Sequence, residues 1–208
     1  MSTTDRWSTF DCYGTLIDWN GGLRSALGSN ELLERYHQLE PQVQAERPSS
    51  SYRDVMTEVA RRLEVDDPEA LARSLPSWEP HPDTGAALED ARSRGWKLAI
   101  LSNTDRDFIE ASLERIGVPF EFAIVASEIG SYKPARGHWD AFFERVDVPR
   151  DRHIHVAQSH FHDIVPASEL GLRSIWINRL GETGEPPPTR ELPNLAALPD
   201  TADELIRG

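Results

Sequence analysis

No run of apolar residues in this chain approaches the ~20 that a membrane-crossing helix requires, so nothing in the sequence spans a bilayer. Cysteine is nearly missing, and the single Cys12 excludes an internal disulfide. The polar opening, Met1 to Arg6, has no apolar stretch of the kind a secretory leader uses. A soluble cytoplasmic protein is therefore expected. Basic side chains are scarce: 22 against 35 acids leave a formal charge of -13, which repels a phosphate backbone over most of the surface. Neither nucleic acid nor membrane is expected as a partner. What the chain does hold is enough length, 208 residues, and enough bulky anchors, six Trp and seven Phe, for a real core.

The most informative stretch is Phe10-Asp11-Cys12-Tyr13-Gly14-Thr15-Leu16-Ile17-Asp18. Trp7 to Phe10 reads as a half-apolar strand, Gly14 permits a sharp turn after it, and Thr15 adds a hydroxyl beside the turn. An acid at a strand's carboxyl end sits where open α/β sheets bind ligands. Asp11 is thus a candidate nucleophile, against the plainer role of capping the next turn.

After Asp18 the pattern turns helical, with Leu32, Leu33, Tyr36 and Leu39 at helical spacing, then Val55, Val59, Ala60 and Leu63. Pro41 and Pro48 are expected to interrupt, and Arg47 to Ser51 to form a turn. Residues 18–79 read as an all-helical insertion. From Pro80 helices and strands alternate, as a parallel sheet requires. Strands are expected at Trp96 to Leu101, Phe122 to Ala126, His153 to Ala157 and Ser174 to Ile177, making five with the first. The run Glu185-Pro186-Pro187-Pro188 reads as a stiff surface excursion. The expected fold class is α/β: a core of residues 1–17 and 80–208, and a helical unit of residues 18–79.

Polar residues gather where these strands end: Asp11, then Ser102-Asn103, then Lys133, then Ser159 to Asp163. Each lies just past a carboxyl end, so all can converge on one crevice. Singly they would be loop formers, caps or a surface charge. The histidines of His153-x-His155 and His160-x-His162 invite a metal reading, but five residues of extended chain cover up to about 17 Å, so no metal site is expected.

Phe10 to Thr15, Leu101-Ser102-Asn103, Tyr132-Lys133-Pro134 and the loop ending in Asp163 together resemble the four signatures of the haloacid dehalogenase superfamily, and within it the chain looks like the 2-haloacid dehalogenases. The resemblance implies a Rossmann-like core with a five-stranded parallel sheet and an inserted helical cap. Superfamily phosphatases carry a second acid where Tyr13 stands and another where Ser159 stands; their absence disfavours magnesium chemistry. Arg35, ahead of Gln38-Leu39-Glu40, matches the cap arginine of the dehalogenases.

That resemblance implies hydrolysis of a small 2-haloalkanoic acid through an aspartyl ester, without metal or other cofactor. Asp11 is then the nucleophile, Thr15 its hydrogen-bond donor, Lys133 its neutralising cation, and Asp163 the partner of Lys133 or of water. Ser102 and Asn103 hold the substrate carboxylate, Cys12, Tyr13 and Phe161 line the same pocket, and Arg35 closes it from the cap. Two family positions differ: an asparagine is His160, expected here as a base, and a tyrosine is Trp139. The alternatives are a magnesium phosphatase of a small phosphate ester, or a hydrolase of another 2-substituted carboxylate. A homodimer fits similar dehalogenases.

Overall fold

The computed structural model describes residues 5–48 and 50–207; the opening Met1 to Thr4, Ser49 of the expected turn, and residue 208 lie outside the described residues. Six parallel strands form one sheet: β1 (Arg6–Phe10), β2 (Trp96–Ser102), β3 (Phe122–Val125), β4 (His153–Ala157), β5 (Arg173–Ile177) and β6 (Arg190–Leu192), ordered β3-β2-β1-β4-β5-β6. Strand β1 pairs with β2 on one side and β4 on the other, Thr9 standing opposite Ala99 and His155. The chain builds outward from β1 in one direction, then crosses back to begin again at β4. A crevice opens at such a reversal, beyond the carboxyl ends of the strands.

The α/β class is as the sequence implies, but the sheet has a sixth strand where five were expected. Strand β6 is three residues long, with Arg190 and Glu191 exposed, and lies at the sheet's edge after the proline run. An edge strand that short needs no apolar alternation, so it leaves no pattern to read.

Between β1 and the second strand run α1 (Trp19–Leu27), α2 (Asn30–Glu46), α3 (Tyr52–Arg62), α4 (Ala70–Ser74) and α5 (Thr84–Ser93). The sequence sets their starts: Ser29 accepts from Leu32 N and Ser51 from Asp54 N, satisfying donors that a helix start leaves open. Pro41 does not interrupt α2 as expected; it lies inside the helix. Its missing N–H leaves the carbonyl of His37 without its usual helical donor, a cost that packing of Tyr36, Val43 and their neighbours outweighs. The connecting segments are tied together, Ile17 bridging Pro80 and Asp18 N donating to Glu79 O over 2.9 Å. At Gly22 an added Cβ would fall 2.2 Å from the Trp78 ring, so the first helix packs on that indole only without a side chain.

The remaining helices are α6 (Arg106–Ile116), α7 (Ala126–Ile129), α8 (Gly137–Arg145), α9 (Val165–Glu169) and α10 (Leu198–Arg207). One apolar cluster joins Phe10, Ile100 and Ile154 of the sheet to Tyr36, Val55 and Met56 of α2 and α3. A second, on the other sheet face, packs Trp7, Ala99 and Leu101 against Trp139 and Phe142 of α8. With both faces covered, the inner strands are buried along almost their whole length, and β1 and β4 bury Ser8, Thr9, His153 and His155 among their apolar residues. Among the described residues no helix is long and apolar enough to cross a membrane.

Candidate active site

Asp11 continues the line of β1, its N–H donating to Val156 O over 3.1 Å, and the chain then folds back so that Leu16 N and Ile17 N both reach Cys12 O. Gly14 makes that fold with φ of 90°, a conformation that a side chain opposes, while an added Cβ would also press within 3.0 Å of Gln158 Oε1. Thr15 is thereby placed to donate its hydroxyl to Asp11 Oδ2 at 2.8 Å while accepting from Gln158 N at 2.8 Å.

Lys133 comes from the loop after α7 and donates to Asp11 Oδ1 (2.9 Å), Asp163 Oδ1 (2.6 Å) and Leu101 O (2.8 Å). An ammonium has three protons, and these three bonds engage all of them. Asn103 fixes the loop that carries it, donating to Lys133 O at 2.9 Å and accepting from Lys133 N at 2.6 Å. Asp163 arrives on a wide helical turn, His160–Ile164, begun by Ser159, whose hydroxyl accepts from His162 N. Wide turns of this kind concentrate at functional sites, where the extra residue redirects a side chain.

Burial pushes the Asp11 carboxyl above its ordinary range, with Asp163 adding to the rise and Lys133 and Thr15 opposing it. Burial also acts to raise Asp163, but the Lys133 charge and the hydrogen bonds from His155 and Lys133 outweigh it, and Asp163 lies well below the usual carboxylate range. Lys133 is raised: burial works against its charge, and the two carboxylates prevail. The trio thus holds a permanent cation between two acids, of which Asp163 is the more firmly ionised.

Behind it runs a hydrogen-bond chain that sequence reading did not assemble. Asp163 Oδ1 accepts from His155 Nε2 at 2.9 Å, His155 Nδ1 lies 2.8 Å from Thr9 Oγ1, and Thr9 Oγ1 lies 2.9 Å from His153 Nε2. Donation to Asp163 leaves Nδ1 of His155 as acceptor of the Thr9 hydroxyl, which in turn accepts from His153. The alternation His153-x-His155 was the available signal, since residues two apart on a strand share a face. Trp139 packs its ring edge against His155, centroids 5.2 Å apart, and so closes the rear of the site. His138, also unforeseen, contacts Ser102 O through Nε2 at 3.0 Å; burial and then the Lys133 charge push its pKa down to about 3.

A cavity of about 690 Å³ opens above this trio. Asp11, Tyr13, Ser102, Asn103, Lys133 and Asp163 line its floor, and His160 and the exposed Phe161 its side. The hydroxyl of Ser102 is buried without a partner, and so is Asp163 Oδ2. Trp19, His37, Glu40, Gln44 and Tyr52 line the side formed by α1, α2 and α3.

Four expected residues lie elsewhere or are otherwise engaged. Cys12 is fully buried in the apolar core and is not among the lining residues, because an extended segment that aims Asp11 and Tyr13 at the cavity turns the residue between them away. Arg35 is exposed and outside the lining. A helix advances about 100° per residue, so Arg35 stands about 140° around α2 from Glu40, which does face the cavity. His160 lines the cavity, but its Nε2 lies 3.0 Å from Pro186 O, which leaves only Nδ1 for a base. Tyr13 spends its hydroxyl on Ser112 Oγ at 3.0 Å. Among the described residues no three His, Cys, Asp or Glu side chains are grouped to hold a metal ion, and both acids of the floor are already bonded to an ammonium.

Residues 9–157 match the model of the haloacid dehalogenase-like hydrolase family. The (S)-2-haloacid dehalogenase H-109 of Pseudomonas putida is 32% identical over 127 residues, a match covering 58% of this chain and 56% of that enzyme, so the chain spans less than two thirds of its length. The (S)-2-haloacid dehalogenase 4A of Burkholderia cepacia is 26% identical over 96% of this chain and 93% of its own. Among solved structures, the L-2-haloacid dehalogenase of Xanthobacter autotrophicus with chloropropionic acid covalently bound superposes with a TM-score of 0.83 at 19% identity, covering 99% of each chain.

Proposed function

The chain belongs to the haloacid dehalogenase-like hydrolase family, and from that membership we propose that it cleaves the carbon–halogen bond of small 2-haloalkanoic acids by way of an ester on Asp11, without a metal ion. The observation that carries this is the Asp11–Lys133–Asp163 trio together with Tyr13 at the position where a second acid would protonate a phosphate leaving group. Named relatives that act on 2-haloacids support it.

The substrate carboxylate rests against the partnerless Ser102 hydroxyl, which sets the halogen-bearing carbon before Asp11. Asp11 attacks that carbon and halide departs with the bonding electron pair. Lys133 and Thr15 hold the nucleophile's two oxygens, so the attack geometry is fixed before substrate arrives. Water then adds to the aspartyl carbonyl carbon, and Asp163 Oδ2, free of protein partners, orients that water. Collapse of the adduct breaks the bond from the carbonyl carbon to the ester oxygen, which takes one proton of the water and leaves as the hydroxyl of a 2-hydroxy acid, while the second proton passes to solvent and Asp11 is restored as a carboxylate.

Halide release from S-2-chloropropionate, chloroacetate and fluoroacetate, measured with chelator present, tests this directly. Turnover is expected to survive chelation and to vanish in Asp11→Asn. Inert haloacids, alongside a phosphate ester hydrolysed only with magnesium, assign the site to phosphate transfer instead.

A further inference from the structure

The cavity is larger than a three-carbon acid fills, since volumes of roughly 300–1,000 Å³ suit considerably bigger ligands. Its surplus faces α2 and α3. There Glu40 and Gln44, 7% and 8% exposed, stand one helical turn apart and both line the cavity. Glu40 Oε1 accepts from the Tyr52 hydroxyl at 2.7 Å, and Tyr52 in turn accepts from Trp19 Nε1 at 3.3 Å. Among the described residues Glu40 Oε2 and the Gln44 amide bond to nothing within the protein. Both side chains are more than nine-tenths buried, yet these unpartnered polar atoms belong to residues that line the cavity, where a ligand can pair with them.

The cavity lining holds more acids than cations. Asp11, Glu40, Asp163 and Glu182 line the cavity, and Lys133 is the only lysine or arginine among the lining residues. Its three protons are spent on the floor. Arg35, the cation expected from the cap, is outside.

We propose that Glu40, with Gln44 and Tyr52, forms a subsite for a cationic nitrogen at the far end of the substrate, so that the preferred substrate is an extended carboxylate carrying a protonated amine. The carboxylate end of this assignment rests on the function proposed above; the amine end rests on the cavity wall alone. A protonated amine donates to Glu40 Oε2 and to the Gln44 carbonyl while Tyr52 keeps Oε1 in place. Burial pushes the Glu40 carboxyl up to about 7, and an arriving cation favours its ionised form.

Calorimetry on the purified full chain compares 5-aminopentanoate with pentanoate, and pentylammonium with 1-pentanol, the second pair containing no carboxylate. Each ammonium compound is expected to bind at least about tenfold more tightly than its neutral counterpart, and Glu40→Gln to bring each pair within about twofold. Gln44→Leu should narrow the gap partially. Equal binding within both pairs, a preference that persists in Glu40→Gln, or no binding of any ammonium compound overturns the subsite. Halide release measured on the same preparations separates the two ideas: an ammonium preference without dehalogenation sinks the reaction and keeps the subsite, and dehalogenation without the preference does the reverse.

Discussion

The Lys133 ammonium lies 2.6 Å from Asp163 Oδ1, both side chains almost wholly removed from solvent. Asp11 shares the same ammonium at 2.9 Å. Removing one member of a buried ion cluster leaves the others uncompensated, and removing the sole cation leaves two acids. Lys133→Met is therefore expected to cost about 3–5 kcal/mol in urea unfolding, and Asp11→Asn distinctly less, because it leaves one cation facing one acid. Equal losses in the two variants would show that the trio does not act as a charge-balanced unit.

Asp11 must be ionised to attack carbon, and burial raises its pKa. Halide release should accordingly decline on the acid side around a midpoint above the ordinary aspartate value of about 3.9. Thr15 donates to the carboxylate and so favours its charged form. Thr15→Val should shift the acid limb of kcat/KM to higher pH, without creating a limb on the alkaline side. A limb that stays put, or moves down, removes Thr15 from the tuning of the nucleophile.

The floor of the site was legible because Ser102 ends a strand and each of Asp11, Asn103, Lys133 and Asp163 comes after one, and parallel topology brings such ends together whatever their separation in sequence. Side-chain direction was less so. Cys12 and Arg35 lay within recognisable motifs, yet strand alternation turns one inward to the core and helix rotation carries the other to the surface. Glu40 was read only as part of the triplet that follows Arg35, because its burial depends on α3 packing across α2, a contact that no local pattern in α2 announces. Strand β6 escaped for the opposite reason: it has almost no burial to announce.

A carboxyl raised by burial has a sign to its effect on stability. Glu40 goes from 4.5 to about 7 on folding, so the folded chain keeps a proton that the unfolded chain gives up. Stability therefore falls as pH rises from about 4.5 to about 7 and stays lower above that. Glu40→Gln abolishes the titration while keeping an acceptor for Tyr52. Relative to the parent, the variant should gain up to ~3 kcal/mol above pH 7 and far less near pH 4, read from denaturant midpoints at both. A gain that is the same at both pH values means that Glu40 is not raised.

Thr9 is the next-to-last residue of β1, where its one hydroxyl meets both His153 and His155. Valine matches threonine in shape but offers neither donor nor acceptor, so Thr9→Val strands two buried imidazole nitrogens at once. A loss of about 2–4 kcal/mol in unfolding free energy is expected, more than a single surface hydrogen bond supplies. The same change frees His155 to rotate, and His155 is a donor that fixes Asp163. Because Asp163 is assigned to the water of the second step, Thr9→Val should lower kcat more than it raises KM, and single-turnover experiments should show ester accumulating on Asp11. If kcat and KM are unchanged while stability drops, the histidine chain serves the sheet alone and stops short of the chemistry.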